Sequence, residues 1–449
     1  MSPIVSLLGI ILSLGFLIYL AYRGYSIIWV APVCAVIVAL LGGLNILDAI
    51  MGDYLSGAAG YVVSWFPVFF LGAVYGKIMD LTGSARSLAN RLVSLIGPKY
   101  AIAAVVIPCL LMTYGGVSLF VVVFVCYPMG YAIFREADLP RTLLPGAIAF
   151  GAFGITMTAI PGSPQIQNII PTTYYSTTPA AAPLMGIIAA ILIGVPGYIY
   201  LEWRVRVVRR KGLHFIEDPK YTQESFDIDS LPSWHWLCGL LPLIVVVVVL
   251  NVLPKILSNA GIANLSSTEA IVIALLGGIA TASIMNLKQF KVLLPAVNEG
   301  ADGSLGAIMN TAFAVGFGSV VKNVPGFAML KKAMLDMPGS ILFSEAVAVN
   351  VLAGATGSAS GGLSIALEVL APQYLEKAIS IGMNPELLHR IASLASGGLD
   401  TLPHNGGVLT LLAVCNCTHK ESYMDVCVTS CIIPVVVSLV MAFVWGVLI

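Results

Sequence analysis

The chain has 449 residues with 22 basic and 22 acidic side chains, so 10% of it is charged and 58% is of hydrophobic types, with a mean hydropathy of +0.96. Soluble domains carry about 25% charge, and a globule of this length cannot cover its surface in water with less than half of that. Neutrality removes the basic face that a nucleic-acid partner needs, and so much apolar surface excludes disorder.

Apolar runs at 4–20, 27–43 and 58–76 open the chain. No basic n-region or small-residue cleavage site precedes the first, so it reads as a membrane helix rather than a signal peptide. The next run, Ala101 to Met112, is about a dozen residues. At 1.5 Å per residue it covers roughly 18 Å, short of the ~30 Å hydrocarbon core. It ends at Thr113-Tyr114-Gly115-Gly116-Val117-Ser118 and a second run leads back to Arg135, which predicts a re-entrant hairpin. A run at 143–160 then meets Pro161-Gly162-Ser163-Pro164-Gln165-Ile166-Gln167-Asn168. Proline removes a donor and glycine tolerates open backbone, so this helix is expected to unwind there. The run at 183–201 closes the first half, and 202–233 is the only sizeable polar segment, too short for a domain.

Runs at 236–253, 267–286 and 304–320 open the second half, and Trp234 and Trp236 read as an interfacial aromatic belt. A second hairpin is expected over 342–371, its tip at Gly354 to Gly362 with Thr356, Ser358, Ser360, Gly361 and Gly362, followed by Ser364. Between the runs at 391–399 and 406–415 lies Asp400-Thr401-Leu402-Pro403-His404-Asn405-Gly406-Gly407, a second unwound stretch, and 425–448 ends the chain. With no alternating polar pattern, the fold class is an all-α polytopic membrane protein.

The halves repeat at a nearly constant offset. Gly72 matches Gly316, Gly83 matches Gly326, and Gly115 to Leu119 matches Gly361 to Ile365. Pro140, Leu143 and Ala147 match Pro385, Leu388 and Ala392, and Thr158 to Pro161 faces Asp400 to Pro403. Seven apolar segments before the linker start the second half from the opposite side, so the repeats, 1–201 and 234–449, are inverted. Residues 1–56 read as scaffold and 57–201 as a transport-type unit. Basic residues at 23, 77–99, 135–141 and 204–211 fall on one side if the N-terminus is outside and the 202–233 linker cytoplasmic.

Inverted repeats with broken helices are secondary-transporter architecture, with the substrate near the midplane. No G-x-x-x-x-G-K-[ST] motif marks an ATP-driven pump, and no zinc or Ser/His signature marks an enzyme. A channel has no need of paired broken helices. Half-helix N-termini carry partial positive charge, so four polar tips with almost no arginine point to a small hydroxylated carboxylate. The competing reading, small residues allowing close helix packing, is weaker where polar residues cluster at all four breaks. Candidate binding residues are Thr113, Gly115, Gly116, Ser118, Gly162, Ser163, Gln165, Asn168, Thr356, Ser358, Ser360, Gly361, Gly362, Ser364, Thr401, His404, Asn405 and Gly406. Asp400, one helical turn from His404, is the candidate partner of that imidazole in proton coupling, the alternative being that His404 only hydrogen-bonds substrate. Glu299, Asp302, Lys322 and Glu368 read as interfacial, and His214, His235, His389 and His419 as solvated. The eight cysteines form no metal or disulfide pattern and read as small core residues, and no cofactor is expected.

Gly-Gly-Val-Ser-Leu-Phe at 115–120, Phe-Arg-Glu-Ala-Asp-Leu-Pro at 134–140, Leu-Pro-His-Asn-Gly-Gly-Val at 402–408 and Thr-His-Lys at 418–420 resemble the gluconate permease (GntP) family of the ion transporter superfamily, in order along the whole chain. The resemblance implies scaffold and transport domains, opposed hairpins, a homodimer in the inner membrane and elevator-type movement. It also implies symport of small organic anions with cations, usually protons; sodium coupling is the alternative. Gly-Ser-Ala-Ser-Gly-Gly at 357–362 departs from the Gly-Ser-Ala-Thr-Val-Ala of the sugar-acid permeases. Smaller side chains there make a shorter acid such as 3-hydroxybutyrate an expectation beside gluconate.

Overall fold

The computed structural model describes residues 2–448 apart from 24, 118, 218–231, 336–338 and 404. No strand occurs among the described residues. The first half runs α1 (Pro3–Tyr22), α2 (Ile27–Gly42), α3 (Leu55–Leu81), α4 (Ser84–Ile96), α5 (Ala101–Tyr114), α6 (Leu119–Glu136), α7 (Leu144–Ala149), α8 (Ile166–Tyr175) and α9 (Pro183–Arg210). The second runs α10 (Trp236–Asn259), α11 (Ser267–Met285), α12 (Phe290–Lys322), α13 (Pro325–Leu335), α14 (Ile341–Thr356), α15 (Ala359–Ser380), α16 (Pro385–Ser396), α17 (Gly406–Val414), α18 (His419–Cys427) and α19 (Ile433–Leu448). Among the described residues six helices are long and apolar enough to cross a membrane, including Asp48–Leu81, Pro183–Arg210 and His419–Leu448.

The order of elements repeats, and so does their packing. The central contact is α3 against α12; α2 packs on α12 as α11 packs on α3, and α4 on α10 as α13 on α1. Helices α5 and α6 form one hairpin, α14 and α15 the other, and each leans on the opposite half's broken helix, α6 on α17 and α15 on α8.

Two arginines show that the broken helices run antiparallel. Arg141, at the entry to α7, donates from Nη1 to the carbonyls of Cys415 (3.1 Å) and Asn416 (2.9 Å), just past the end of α17. Arg390, one turn into α16, donates from Nη2 to the carbonyls of Pro179 (3.2 Å) and Ala181 (2.8 Å), past the end of α8. Arg141 caps carbonyls at the finish of α17, where the macrodipole is negative, and Arg390 holds the loop that follows α8. The two halves are thus related as inverted repeats.

Several expectations change. The run at 143–160 is not one span: α7 passes into a π-helical turn at Phe150–Ile155 and the helix ends there. The second tip is Gly357-Ser358, with Gly357 at φ +59; Gly361 and Gly362 already lie inside α15. A Cβ on Gly362 would sit 2.2 Å from the Ala353 backbone, so this glycine serves the close approach of α14 and α15. Helices α4 and α13, absent from the expected spans, are short, and α4 turns through 98° into α5. His389 and His235 are buried at 0% and 4% exposure rather than solvated. Charge also enters the bundle interior: Glu345, Arg390 and Asp425 are buried. Arg204 grips both oxygens of Asp425, at 2.6 and 3.1 Å, and Tyr175 donates to Glu345.

Candidate functional site

Both breaks begin as expected from their Pro and Gly content. The first occupies 156–165 between the π-helical turn and α8; the second, 397–405, has a single 3-10 turn at Leu399–Thr401. Asp400 lies in that turn, and Leu402 and Pro403 after it are not helical, so no helical turn separates it from position 404. Ser118 and His404 lie outside the described residues.

A cavity of about 600 Å³ opens between the tips and breaks on one side and α3 and α12 on the other. Of the expected residues it is lined by Gly116, Gln165, Thr356, Ser358, Ser360, Asp400, Asn405 and Gly406. The opposite wall brings Val68, Phe69, Gly72 and Ala73 of α3 and Gly303, Ser304, Asn310 and Thr311 of α12, with Tyr25 and Ser26 at its rim. Sequence reading missed these and Gln167. No polar cluster marks them, since a helix wall contributes one or two residues per turn.

Of the helices that start at this cavity, three leave their first two amides without an acceptor among the described residues. Ile166 and Gln167 open α8, Ala359 and Ser360 open α15, and Gly406 and Gly407 open α17; all six line the cavity and their N–H groups meet no acceptor among the described residues. Orphan N–H groups at helix starts form an anion site when they face a common space. The third turn positions are capped: Ser358 Oγ accepts from Gly361 N at 3.1 Å, and Asn405 Oδ1 from Val408 N at 2.8 Å.

Each break is tied to the hairpin tip of its own half by an amide. Gln165, which precedes α8, donates from Nε2 to the carbonyls of Thr113 (2.6 Å) and Val117 (3.3 Å). Asn405, which precedes α17, donates from Nδ2 to the carbonyl of Gly357 (2.9 Å). The two residues share the N-cap position and an extended backbone, at φ −63 and φ −61. The other expected residues sit behind the wall. Asn168 is held by Arg390 (Nη1 to Oδ1, 2.8 Å) and itself donates to the carbonyls of Ser163 and Pro179, both at 2.8 Å. Ser163 Oγ accepts from Gln165 N. Thr401 donates to the Gly398 and Ser430 carbonyls, and Ser364 bonds Tyr61. Gly115 packs on Leu243, and Asn251 holds the Gly162 carbonyl at 3.0 Å. Thr113 Oγ1 is buried with no partner among the described residues. Gly361 and Gly362 face the interior of their own hairpin.

Asp400 is 3% exposed, and its Oδ1 has no hydrogen-bond partner among the described residues. Among the described residues no basic side chain pairs with it, and a buried carboxyl in that position is suited to binding a proton or a cation.

The sequence matches the model of the GntP family permease over residues 4–448. It is 40% identical over 447 residues, 94% of each chain, to the uncharacterized transporter YxjC of Bacillus subtilis (strain 168). It is 25% identical over 417 residues, 89% of each chain, to the high-affinity gluconate transporter of Escherichia coli (strain K12). Two solved structures share its fold. One is Neisseria gonorrhoeae MtrF, of a class of antimetabolite efflux pumps (TM-score 0.58, 15% identity, covering 90% of this chain and 86% of that one). The other is the Alcanivorax borkumensis YdaH transporter, of unusual topology (TM-score 0.57, 15% identity, covering 90% and 88%).

Proposed function

The chain belongs to the GntP permease family, a family of multi-pass membrane transporters rather than enzymes, and on that premise we propose that it is a secondary active symporter for a small hydroxy-carboxylate. The observation that carries this reading is the three pairs of N–H groups at the starts of α8, α15 and α17, which meet no acceptor among the described residues and belong to residues that line one cavity. A carboxylate placed there gains hydrogen bonds and the helix dipoles without any buried cation to desolvate. The cavity, about 600 Å³, accommodates gluconate or 3-hydroxybutyrate. The gluconate transporter at 25% identity supports the organic-anion class.

Asp400 is the proposed coupling group, with His404 as its candidate partner. A proton is its simplest partner; sodium is the second reading, because the Asp400 carboxyl and the backbone carbonyls of an unwound helix are oxygen donors suited to that ion. Alternating access would move the hairpins and broken helices as an elevator against a scaffold, which we take to comprise α1–α3 and α10–α12. The proposed setting is a homodimer in a bacterial inner membrane, with the N-terminus outside and the 202–233 linker cytoplasmic.

Proteoliposomes with separately imposed pH and sodium gradients test the reading over a panel of hydroxy acids. Accumulation of a hydroxy acid driven by the pH gradient is the expected outcome. Accumulation driven only by sodium selects the second reading, and no accumulation under either gradient rejects symport. Asp400→Asn should abolish gradient-driven accumulation while leaving exchange of internal for external substrate.

A further inference from the structure

The amides around the cavity are not equivalent. Gln165 and Asn405 spend their NH₂ groups on the carbonyls of their own hairpin tips, and Asn405 spends its oxygen on the first turn of α17. Gln167 stands between them in neither role. It lines the cavity from the second position of α8, is 6% exposed, and neither end of its amide meets a hydrogen-bond partner among the described residues; its Oε1 is buried. Buried amides almost always have a partner, and one left without is costly. An amide to which the surrounding residues offer no partner is positioned for one that arrives with a ligand.

The character of that ligand follows from the neighbours. The backbone N–H groups of Ile166 and Gln167 start the same helix and offer donors only, which suits a carboxylate. The Gln167 side chain offers both an acceptor and donors, and among uncharged groups a hydroxyl matches both. We propose that Gln167 is the specificity-determining residue that reads a hydroxyl of the substrate while the adjacent helix start takes its carboxylate. This rests on the hydroxy-carboxylate reading above and deepens it. A site built to hydrogen-bond a hydroxyl rejects the analogue that lacks one, because its own polar group is then left buried and unpaired.

Equilibrium binding to the purified protein tests this with matched acids: 3-hydroxybutyrate against butyrate, and gluconate against 2-deoxygluconate. Wild type is expected to favour the hydroxy acid in at least one pair. Gln167→Met keeps length and removes hydrogen bonding, and should weaken the hydroxy acid about tenfold while leaving the deoxy acid unchanged. Parallel weakening of both acids, or no change in their ratio, overturns the assignment while the carboxylate reading stands. Gln167→Glu keeps the acceptor and should retain the preference, even where its charge weakens both acids; loss of the ratio there also overturns the assignment. If wild type binds neither acid of either pair and accumulates none in proteoliposomes, the carboxylate reading falls and this assignment with it.

Discussion

His235 closes a polar knot where three helices meet. Its Nε2 donates to Asn286 Oδ1 at 3.0 Å, which requires the proton on that nitrogen, so Nδ1 accepts from Ser87 Oγ at 2.9 Å. Asn286 passes its own donors to Ser84 Oγ (3.0 Å) and the Ala282 carbonyl (2.8 Å). The start of α10, the start of α4 and the end of α11 are thereby joined through one neutral imidazole. Burial lowers its pKa from the usual 6.5, partly opposed by the Asn286 hydrogen bond. The unfolded chain then takes up a proton before the folded one does as pH falls. Stability from this site is therefore present above about pH 6.5 and declines below it. Thermal unfolding of wild type and His235→Ala between pH 5 and pH 8 should show the difference: wild type is more stable by about 1–3 kcal/mol at pH 8, and the gap narrows toward pH 5. A constant gap would remove the imidazole's titration from the explanation. Nothing in the local sequence reveals this role. Trp234 and Trp236 read as an interfacial belt, but Ser87 and Asn286 are 148 and 51 residues away, and a histidine's solvation is decided by such distant neighbours.

The hairpins and broken helices behave as paired elements because Gln165 and Asn405 bind each tip to the helix start beside it. Asn405→Ser retains an oxygen to cap α17 and loses the reach to Gly357; Gln165→Leu loses its bonds to Thr113 and Val117. Hydrogen–deuterium exchange should rise at 353–360 in the first variant with 111–117 unaffected, and the reverse in the second. A uniform rise in both would mean that the amides support global stability rather than individual tips. The breaks themselves were legible in the sequence, since proline and glycine clusters inside apolar runs have few other uses in a membrane. The repeat offset was misleading at the second tip: it aligned Gly115-Gly116 with Gly361-Gly362, but Gly362 serves the close approach of α15 to α14. Gly362→Leu would meet the Ala353 backbone and should prevent the hairpin from closing, visible as loss of monodisperse protein in detergent. Helices α4 and α13 escaped the reading because a search for long apolar runs passes over short helices that carry basic residues.

At the scale of the whole molecule, the question is which contacts must change for the cavity to face first one side and then the other. Helix α12 supplies one wall of the cavity and packs along α3, while α15 carries the second tip. These two meet where Lys322 Nζ donates to Glu368 Oε1, with Tyr174 of α8 donating to Glu368 Oε2 at 3.0 Å. The other end of α12 is tied differently: Glu299 accepts from Lys77 of α3 at 3.1 Å. The Lys77 pair lies within the central α3–α12 unit, whereas the Lys322 pair joins that unit to a hairpin and a broken helix. If the hairpins move as proposed, the first pair persists through the cycle and the second must break. Both cations are about one-third exposed, so neither pair is expected to contribute more than about 1 kcal/mol to stability, and breaking one is within reach of substrate binding. Cysteines replacing Lys322 and Glu368, in a background without the eight native cysteines, allow a bifunctional, reducible thiol reagent to cross-link α12 to α15. Cross-linking should then stop uptake and reduction restore it, with substrate binding retained throughout. A cross-link replacing Lys77 and Glu299 should leave uptake intact. If uptake continues with α12 joined to α15, this interface does not move during transport.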